Sequence, residues 1–240
     1  MKFTIDQFLG GKVLLKQSQK GMRATSDSVL LAAFLPVKKG ESILDVGAGN
    51  GAIGCCCNAR VPCTIFAIEI QEKLCSLISE NAQLNHQKIE IIQHDILALK
   101  DPLKGKLFHH VVTNPPFYEK SENTRQNPEQ NKAFVQDFDL TKWLNYCLKH
   151  VRSNGSFNLI HRPEMLPQIL PILAQKLGNI EILPIVSKKG QQAKRVLIRG
   201  FLNKKGPLVL HFPIILHTKD DKYTKTAENI LRFGNKIDFT

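Results

Sequence analysis

The sequence has no apolar run near the ~20 residues needed to span a bilayer, and no Cys-x-x-Cys spacing. The first absence predicts a soluble chain with no membrane partner. The second argues against a zinc site or a disulfide frame, although six cysteines are present. They fall at Cys55, Cys56, Cys57, Cys63, Cys75 and Cys147, three of them consecutive where a helix should lie on a sheet. A thiol there serves as a small buried hydrophobe, so no metal is expected. The opening stretch, MKFTIDQFLGGKVLLKQ, lacks the apolar core of a secretory signal, and a cytoplasmic location is expected. Internal repeats and low-complexity tracts are missing as well.

Negative charge is scarce: 33 Lys and Arg face 21 Asp and Glu, for a net +12. The excess is uneven, at +5 over residues 1–40, −1 over 41–160 and +8 over 161–240. Basic flanks around a near-neutral middle predict a polyanionic partner, an RNA, held beside the centre. At 240 residues and 42% hydrophobic composition, one main domain is expected. Residues 1–40 read as a basic hairpin and helix packed on the core, and 41–240 as the principal domain with a basic C-terminal extension.

From residue 42 short β-rich runs alternate with helical stretches, the pattern of a parallel sheet covered by helices. The predicted strands are Ser42–Val46, Thr64–Glu69, Ile89–His94, His109–Thr113, Ser156–His161 and Ile180–Val186. Helices are clearest at Gln71–Asn85 and at Asp139–Val151, which opens on Asp139 as a cap. After Val186, SKKGQQAK reads as a basic loop leading to an antiparallel strand, Arg195–Gly200, and Lys188, Lys189, Lys194 and Arg195 are candidate RNA contacts. An apolar run, Leu208–Leu216, and a helix-like segment, Lys225–Phe233, follow. Upstream, Phe8–Gln17 reads as a strand or hairpin, and Ser26 or Asp27 should cap a helix through Phe34 that stops at Pro36. The expected fold is α/β and Rossmann-like: a mostly parallel seven-stranded sheet with a C-terminal antiparallel hairpin and helices on both faces.

The segment ILDVGAGNG runs an apolar strand into Asp45, Gly47, Ala48, Gly49 and Gly51 at the start of a helix, where a ligand can approach bare backbone. Dinucleotide loops order their glycines G-x-G-x-x-G to seat a pyrophosphate. Here the order is D-x-G-x-G-x-G, and the internal carboxylate suits a cationic ligand. The next strand ends at Glu69, placed with Ile70 to meet ribose hydroxyls. The following one ends near Asp95, whose carboxylate can accept from an adenine amine while the Ile96 amide donates to the ring. Singly, these acids also fit a turn cap, a helix N-terminal charge and an Asx turn. Three at successive strand ends describe a nucleoside site.

The fourth strand runs into Asn114, Pro115, Pro116 and Phe117. Prolines directly after a core strand fix an extended backbone, which a rigid strand-end turn would also use. The chemical use is sharper. An aromatic amine is a weak nucleophile because its lone pair is delocalised, and it must be drawn toward tetrahedral geometry to attack. The Asn114 side-chain oxygen and the Pro115 carbonyl can each accept one N–H, and Phe117 can stack on the base for about 1–3 kcal/mol. No general base is required, because the alkylated amine is acidic and loses its proton afterwards. The polar stretch Glu119–Ala133 reads as a loop, a substrate clamp or plain solvated chain.

These residues resemble class I methyltransferases. The order GMRATSDSVLLAAF, ILDVGAGNG, Glu69, HDI and TNPPF is similar to the bacterial family that methylates the adenine beside the anticodon of a valine tRNA on its exocyclic amine. FLGGKVLLKQSQKGMRATSDSVLLAAF looks like that family's N-terminal signature and AKRVLIRG like its late strand, so the likeness covers about residues 8–200. It implies S-adenosylmethionine as cofactor, lined by Asp45, Gly47, Glu69, Asp95 and Asn114, with Arg23 and Asp27 near the methionine end and Asn114–Phe117 holding the adenine. Met22 and Phe117 stand where an aromatic and a tyrosine are also common. Ribosomal RNA methyltransferases acting on adenine or guanine amines, and enzymes modifying a release-factor glutamine, share the tetrapeptide. The latter usually carry a substantial helical domain before the glycine loop, and here only residues 1–40 precede it. A non-catalytic RNA-binding relative would be expected to have lost one of the acids or the tetrapeptide, and a nicotinamide dehydrogenase would order its glycines differently.

Overall fold

The computed structural model describes residues 2–19, 23–116 and 139–239. The chain opens with a hairpin, β1 (Phe3–Phe8) antiparallel to β2 (Val13–Ser18), joined by a tight turn at Leu9–Gly11. Its strands start five residues before the predicted Phe8. Gly10 in that turn has φ of +65°, and a Cβ there would come within 2.7 Å of the Arg232 carbonyl oxygen. α1 (Ser26–Phe34) begins one or two residues earlier than a cap at Ser26 or Asp27 predicts. Its cap is Thr25, in extended conformation, whose hydroxyl accepts from the Asp27 amide at 3.2 Å; neither Ser26 nor Asp27 caps it.

The principal sheet then assembles from β3 (Ser42–Val46), β4 (Thr64–Glu69), β5 (Ile89–Gln93), β6 (Phe108–Thr113), β7 (Val151–His161), β8 (Leu177–Lys188) and β9 (Ala193–Leu202). Two short strands, β10 (Val209–Leu210) and β11 (Ile214–His217), both lie parallel to β8, so among the described residues the principal sheet has nine strands rather than seven. The Leu208–Leu216 run divides because Pro213 supplies no amide to a ladder. In space the order is β10–β8–β9–β7–β6–β3–β4–β5, and β9 alone runs antiparallel to its neighbours β7 and β8. The expected α/β class with a late antiparallel hairpin is therefore borne out. Connecting helices are α2 (Ala52–Arg60), α3 (Glu72–Leu84), α4 (Leu140–Lys149), α5 (Leu166–Ala174) and α6 (Lys225–Leu231). Asp139 caps α4 as predicted, its carboxylate accepting from the Lys142 amide at 3.1 Å.

Successive residues of each strand face opposite sides, and the sheet buries both. Ile43, Val112, Ile160 and Leu197 join α1, α2 and the hairpin in one core layer. Their neighbours Leu44, Val111, Leu159 and Ile198 join α4 and α5 in the other. Cys55, Cys56 and Cys57 are fully buried under the first layer as free thiols, as their spacing predicted. Seven of the nine α1 residues are buried, because that helix lies against the sheet, α2 and α6.

β3 is the strand at which the order reverses: the chain leaves the β5 edge and re-enters as β6 on β3's other side. In doubly wound sheets such a reversal opens a crevice beyond the strands' C-terminal ends. Asp45, Glu69 and Asn114 all lie at that edge.

Candidate active site

The loop after β3 is held at both ends. The Gly47 and Ala48 amides donate to the Ile68 carbonyl at 2.9 and 3.1 Å, and the Gly51 amide closes on the Ala48 carbonyl at 2.9 Å. Gly47, Gly49 and Gly51 take φ of +72°, +60° and +80°, a region that disfavours side chains. Gly49 has open space where a Cβ would project, leaving its backbone approachable.

Glu69, at the tip of β4, is buried and spans this loop. One carboxylate oxygen accepts from the Gly49 amide at 2.9 Å, and the other from the Ile70 and Gln71 amides at 3.0 Å each. A carboxylate offers about four acceptor positions, so capacity for one further donor remains. Burial raises its pKa while the three amides pull it down.

Asp45 is 1% exposed, and neither carboxylate oxygen has a hydrogen-bond partner among the described residues. Burial first, and the charge of Glu69 second, push it up to about 7; the Gly54 amide opposes this weakly from outside hydrogen-bond geometry. An unpaired buried carboxylate is costly by itself and suits a cationic or hydrogen-bond-donating ligand.

β6 delivers the tetrapeptide. Thr113 pairs with Val46 across the β3–β6 ladder, so Asn114 stands beside the glycine loop. The Asn114 Oδ1 is buried and likewise without a partner among the described residues. Pro115 is buried and Pro116 half-buried, while Phe117 and the Glu119–Ala133 stretch lie outside the described residues. Two orphaned acceptors, Asp45 and Asn114, thus occur at the tips of adjacent strands.

The remaining sequence candidates are distributed around this centre. Asp95 follows β5 in an Asx turn, with its Oδ1 accepting from the Leu97 amide at 2.9 Å, and it is exposed beside half-buried Ile96. Arg23 pairs with Asp6 of the hairpin and donates to the Ser18 carbonyl at 2.8 Å. Asp27 accepts from Arg195 Nε at 2.8 Å, tying the start of α1 to β9. The stretch predicted as a loop narrows to a turn at residues 189–192, because β8 runs on through Lys188 and β9 opens at Ala193, which puts Lys194 and Arg195 in its first turn-proximal positions. Lys188 pairs with Asp221 at 2.7 Å, and Lys189 and Lys194 are exposed. Because β8 runs parallel to β6, this basic turn lies at the same sheet edge as Asn114.

Sequence reasoning missed a polar network beneath the site. Asn81 of α3 donates to the Asn50 carbonyl at 2.9 Å, and Asn50 donates to Gln17 of β2 at 3.0 Å. Asn81 and Asn85 also clamp β2 by its backbone, each accepting one amide and donating to the carbonyl of the same residue, Lys16 and Leu14 respectively. The one available signal was Asn81 inside a helix, where its intrinsic propensity is poor, four residues before Asn85 at the helix C-cap. Trp143 was missed too. Its Nε1 donates to the Thr113 hydroxyl at 2.9 Å, directly before Asn114.

Comparison with known proteins follows the same lines. Residues 21–190 match the methyltransferase small domain family. A tRNA1(Val) (adenine(37)-N6)-methyltransferase of Aeromonas hydrophila is 27% identical over 199 residues, covering 79% of this chain and 83% of that protein. One from Haemophilus influenzae is 23% identical over 228 residues, covering 93% and 94%. The family resemblance read from the motifs is thereby borne out. Among solved structures, an Agrobacterium tumefaciens protein described as a predicted O-methyltransferase superposes with a TM-score of 0.73 at 22% identity, covering 88% of this chain and 98% of that one. A Thermus thermophilus 16S rRNA N2 G1207 methyltransferase gives 0.59 at 19% identity, covering 84% and 50%.

Proposed function

This chain belongs to the methyltransferase small domain family, and we propose that it transfers a methyl group from S-adenosylmethionine to the exocyclic amine of an adenine in RNA, the adenine beside the anticodon of a valine tRNA. The observation that supports this reading most is the pair of buried, unpartnered acceptors, Asp45 and Asn114, on adjacent strand tips. The substrate identity rests on the relatives named as tRNA1(Val) (adenine(37)-N6)-methyltransferases, which match this chain over most of both lengths.

The residues present fit the cofactor. Asp45 would meet the cationic side of the ligand, the open backbone at Gly49 would admit close approach, Glu69 would take ribose, and Asp95 with the Ile96 amide would take adenine. Arg23, paired with Asp6, and Asp27, paired with Arg195, would border the methionine end. The cofactor supplies an electrophilic methyl on a sulfonium centre.

The chain's own work is on the amine. Asn114 Oδ1 accepts one N–H and the Pro115 carbonyl the other, which pulls the lone pair out of conjugation and aims it. Two prolines keep these acceptors from relaxing, so their orientation precedes substrate binding. After transfer the acidic amine gives its proton to solvent. The target base must leave its stack or already lie in a loop, as an anticodon-loop base does.

Incubation with labelled cofactor and total tRNA from a strain lacking the enzyme should label a single tRNA, at an adenine identified by mass spectrometry. Label appearing only in protein sinks the reading. Asn114→Ala should abolish turnover while calorimetric affinity for S-adenosylhomocysteine stays within about threefold, since the substitution removes an interaction made chiefly with the reacting amine.

A further inference from the structure

Trp143 is the single tryptophan of the chain and sits in the first turn of α4, on the face toward β6. Its indole N–H donates to Thr113 Oγ1 at 2.9 Å. That hydroxyl has one proton, and it donates it to the Val46 carbonyl at 2.8 Å. Thr113 is fully buried, so the two bonds form a relay from α4 through β6 to β3 with no water in competition. The far edge of the same ring lies over the glycine loop: a Cβ on Gly47 would meet ring carbons Cζ2 and Cη2 at 2.8 Å.

The relay ends at two points of the proposed site. Thr113 is bonded covalently to Asn114. Val46 shares its peptide group with Gly47, whose own amide is held by the Ile68 carbonyl at 2.9 Å. The orientation of that peptide is therefore set on one side by Ile68 and on the other by Thr113 and Trp143. One side chain thus holds the loop assigned to the methyl donor and the strand assigned to the methyl acceptor.

We propose that Trp143 is a positioning residue for methyl transfer, fixing the glycine loop and Asn114 in register so that donor and amine meet at reacting distance. The proposal rests on the methyltransferase reading above and adds a residue to it. Displacements near 1 Å remote from the chemistry cost rates by about a hundredfold, so a brace between the two half-sites has leverage on kcat. The indole also reports on the site, because the loop beneath it is where the ligand binds.

Three preparations test this: wild type, Trp143→Phe, which keeps a ring but removes the N–H, and Thr113→Val, which keeps the shape but removes the hydroxyl. Wild type titrated with S-adenosylhomocysteine should change its tryptophan emission with the midpoint found by calorimetry. Each variant should lose at least about tenfold in kcat with KM for tRNA within about twofold, a split that general loosening of the fold does not produce. The double variant should be no slower than the worse single, because both substitutions break one relay. Should Trp143→Phe fail to fold, Thr113→Val carries the same kinetic expectation. Variants with kcat within twofold of wild type, or penalties that multiply in the double variant, overturn the positioning role and leave the methyltransferase reading standing. If wild type shows no calorimetric binding of S-adenosylhomocysteine, the cofactor reading falls and this proposal falls with it.

Discussion

Asp45 carries a charge that its surroundings oppose. In the unfolded chain its carboxyl sits near the ordinary 3.8, whereas burial and Glu69 push it up to about 7 in the folded protein. Between those values the folded state holds a proton that the unfolded state has released, so stability falls as pH rises through the window and is level above it. Replacing the carboxylate with an amide removes the charge and not the shape. Asp45→Asn should therefore melt higher than wild type at pH 8, with the gap growing from about pH 4 to about pH 7 and constant beyond. Thermal scans showing the same gap at pH 5 and pH 8 would refute this. The same variant should bind S-adenosylhomocysteine at least about tenfold more weakly, and wild-type affinity should drop as pH falls through about 7, since the ligand's ammonium group prefers the ionised carboxyl. Affinity independent of pH between 6 and 8 would remove Asp45 from the cofactor site.

Among the elements, α3 does two jobs that its amphipathic pattern does not announce. Its apolar face covers the sheet, and Asn81 and Asn85 bind the backbone of β2 as a strand would, at Lys16 and Leu14. Asn81 is fully buried, and truncating it leaves Lys16 backbone groups without partners, for a cost of about 1–3 kcal/mol. Asn81→Ala should lower Tm by about 2–4 °C per kcal/mol lost in a domain of this size. It should also speed amide exchange selectively at Lys16, as Asn85→Ala should at Leu14; unchanged exchange at both amides would show that the hairpin is held by its apolar contacts alone. This docking explains the limits of reading from sequence. Asp45, Glu69 and Asn114 were legible because each belongs to a local signature, an acidic or amide residue ending an apolar run beside glycine or proline. Contacts between Asn81 and Lys16, 65 positions apart, leave no such trace. Neither does Trp143 reaching Thr113. α5 was hidden for another reason: Pro167 and Pro171 make LPQILPILA look like a loop, yet one proline lies in the first turn, where no amide is needed, and the other is tolerated within a helix whose Ile169 and Leu173 are fully buried. The early start of β7 was masked by RSNGS, which reads as a turn and forms the irregular stretch where pairing with β6 shifts register.

On the scale of the whole molecule, charge and topology converge on one edge. β8 and β11 run parallel to β6, so the β8–β9 turn and the turn after β11 flank the same opening as Asn114. The cations there are not equivalent. Lys188 is committed to Asp221 and Arg195 to Asp27, and their first contribution is to hold the two turns and the start of α1 in place. Lys189 on that turn and Lys194 at the start of β9 are exposed and form no ion pair among the described residues, so a phosphate can be met by them without breaking one there. Each phosphate neutralised on a single strand adds about 0.7 to the log–log dependence of affinity on salt, and about 0.9 on a duplex. Lys189→Gln with Lys194→Gln should therefore reduce that slope for tRNA by about 1.4–1.8, weaken binding across all tRNA species alike, and leave affinity for S-adenosylhomocysteine unchanged. Arg195→Gln should behave differently, lowering Tm because Asp27 loses its partner. If the double glutamine variant keeps the wild-type salt slope, the RNA approaches Asn114 from another side, and the basic edge serves only to hold the turns together.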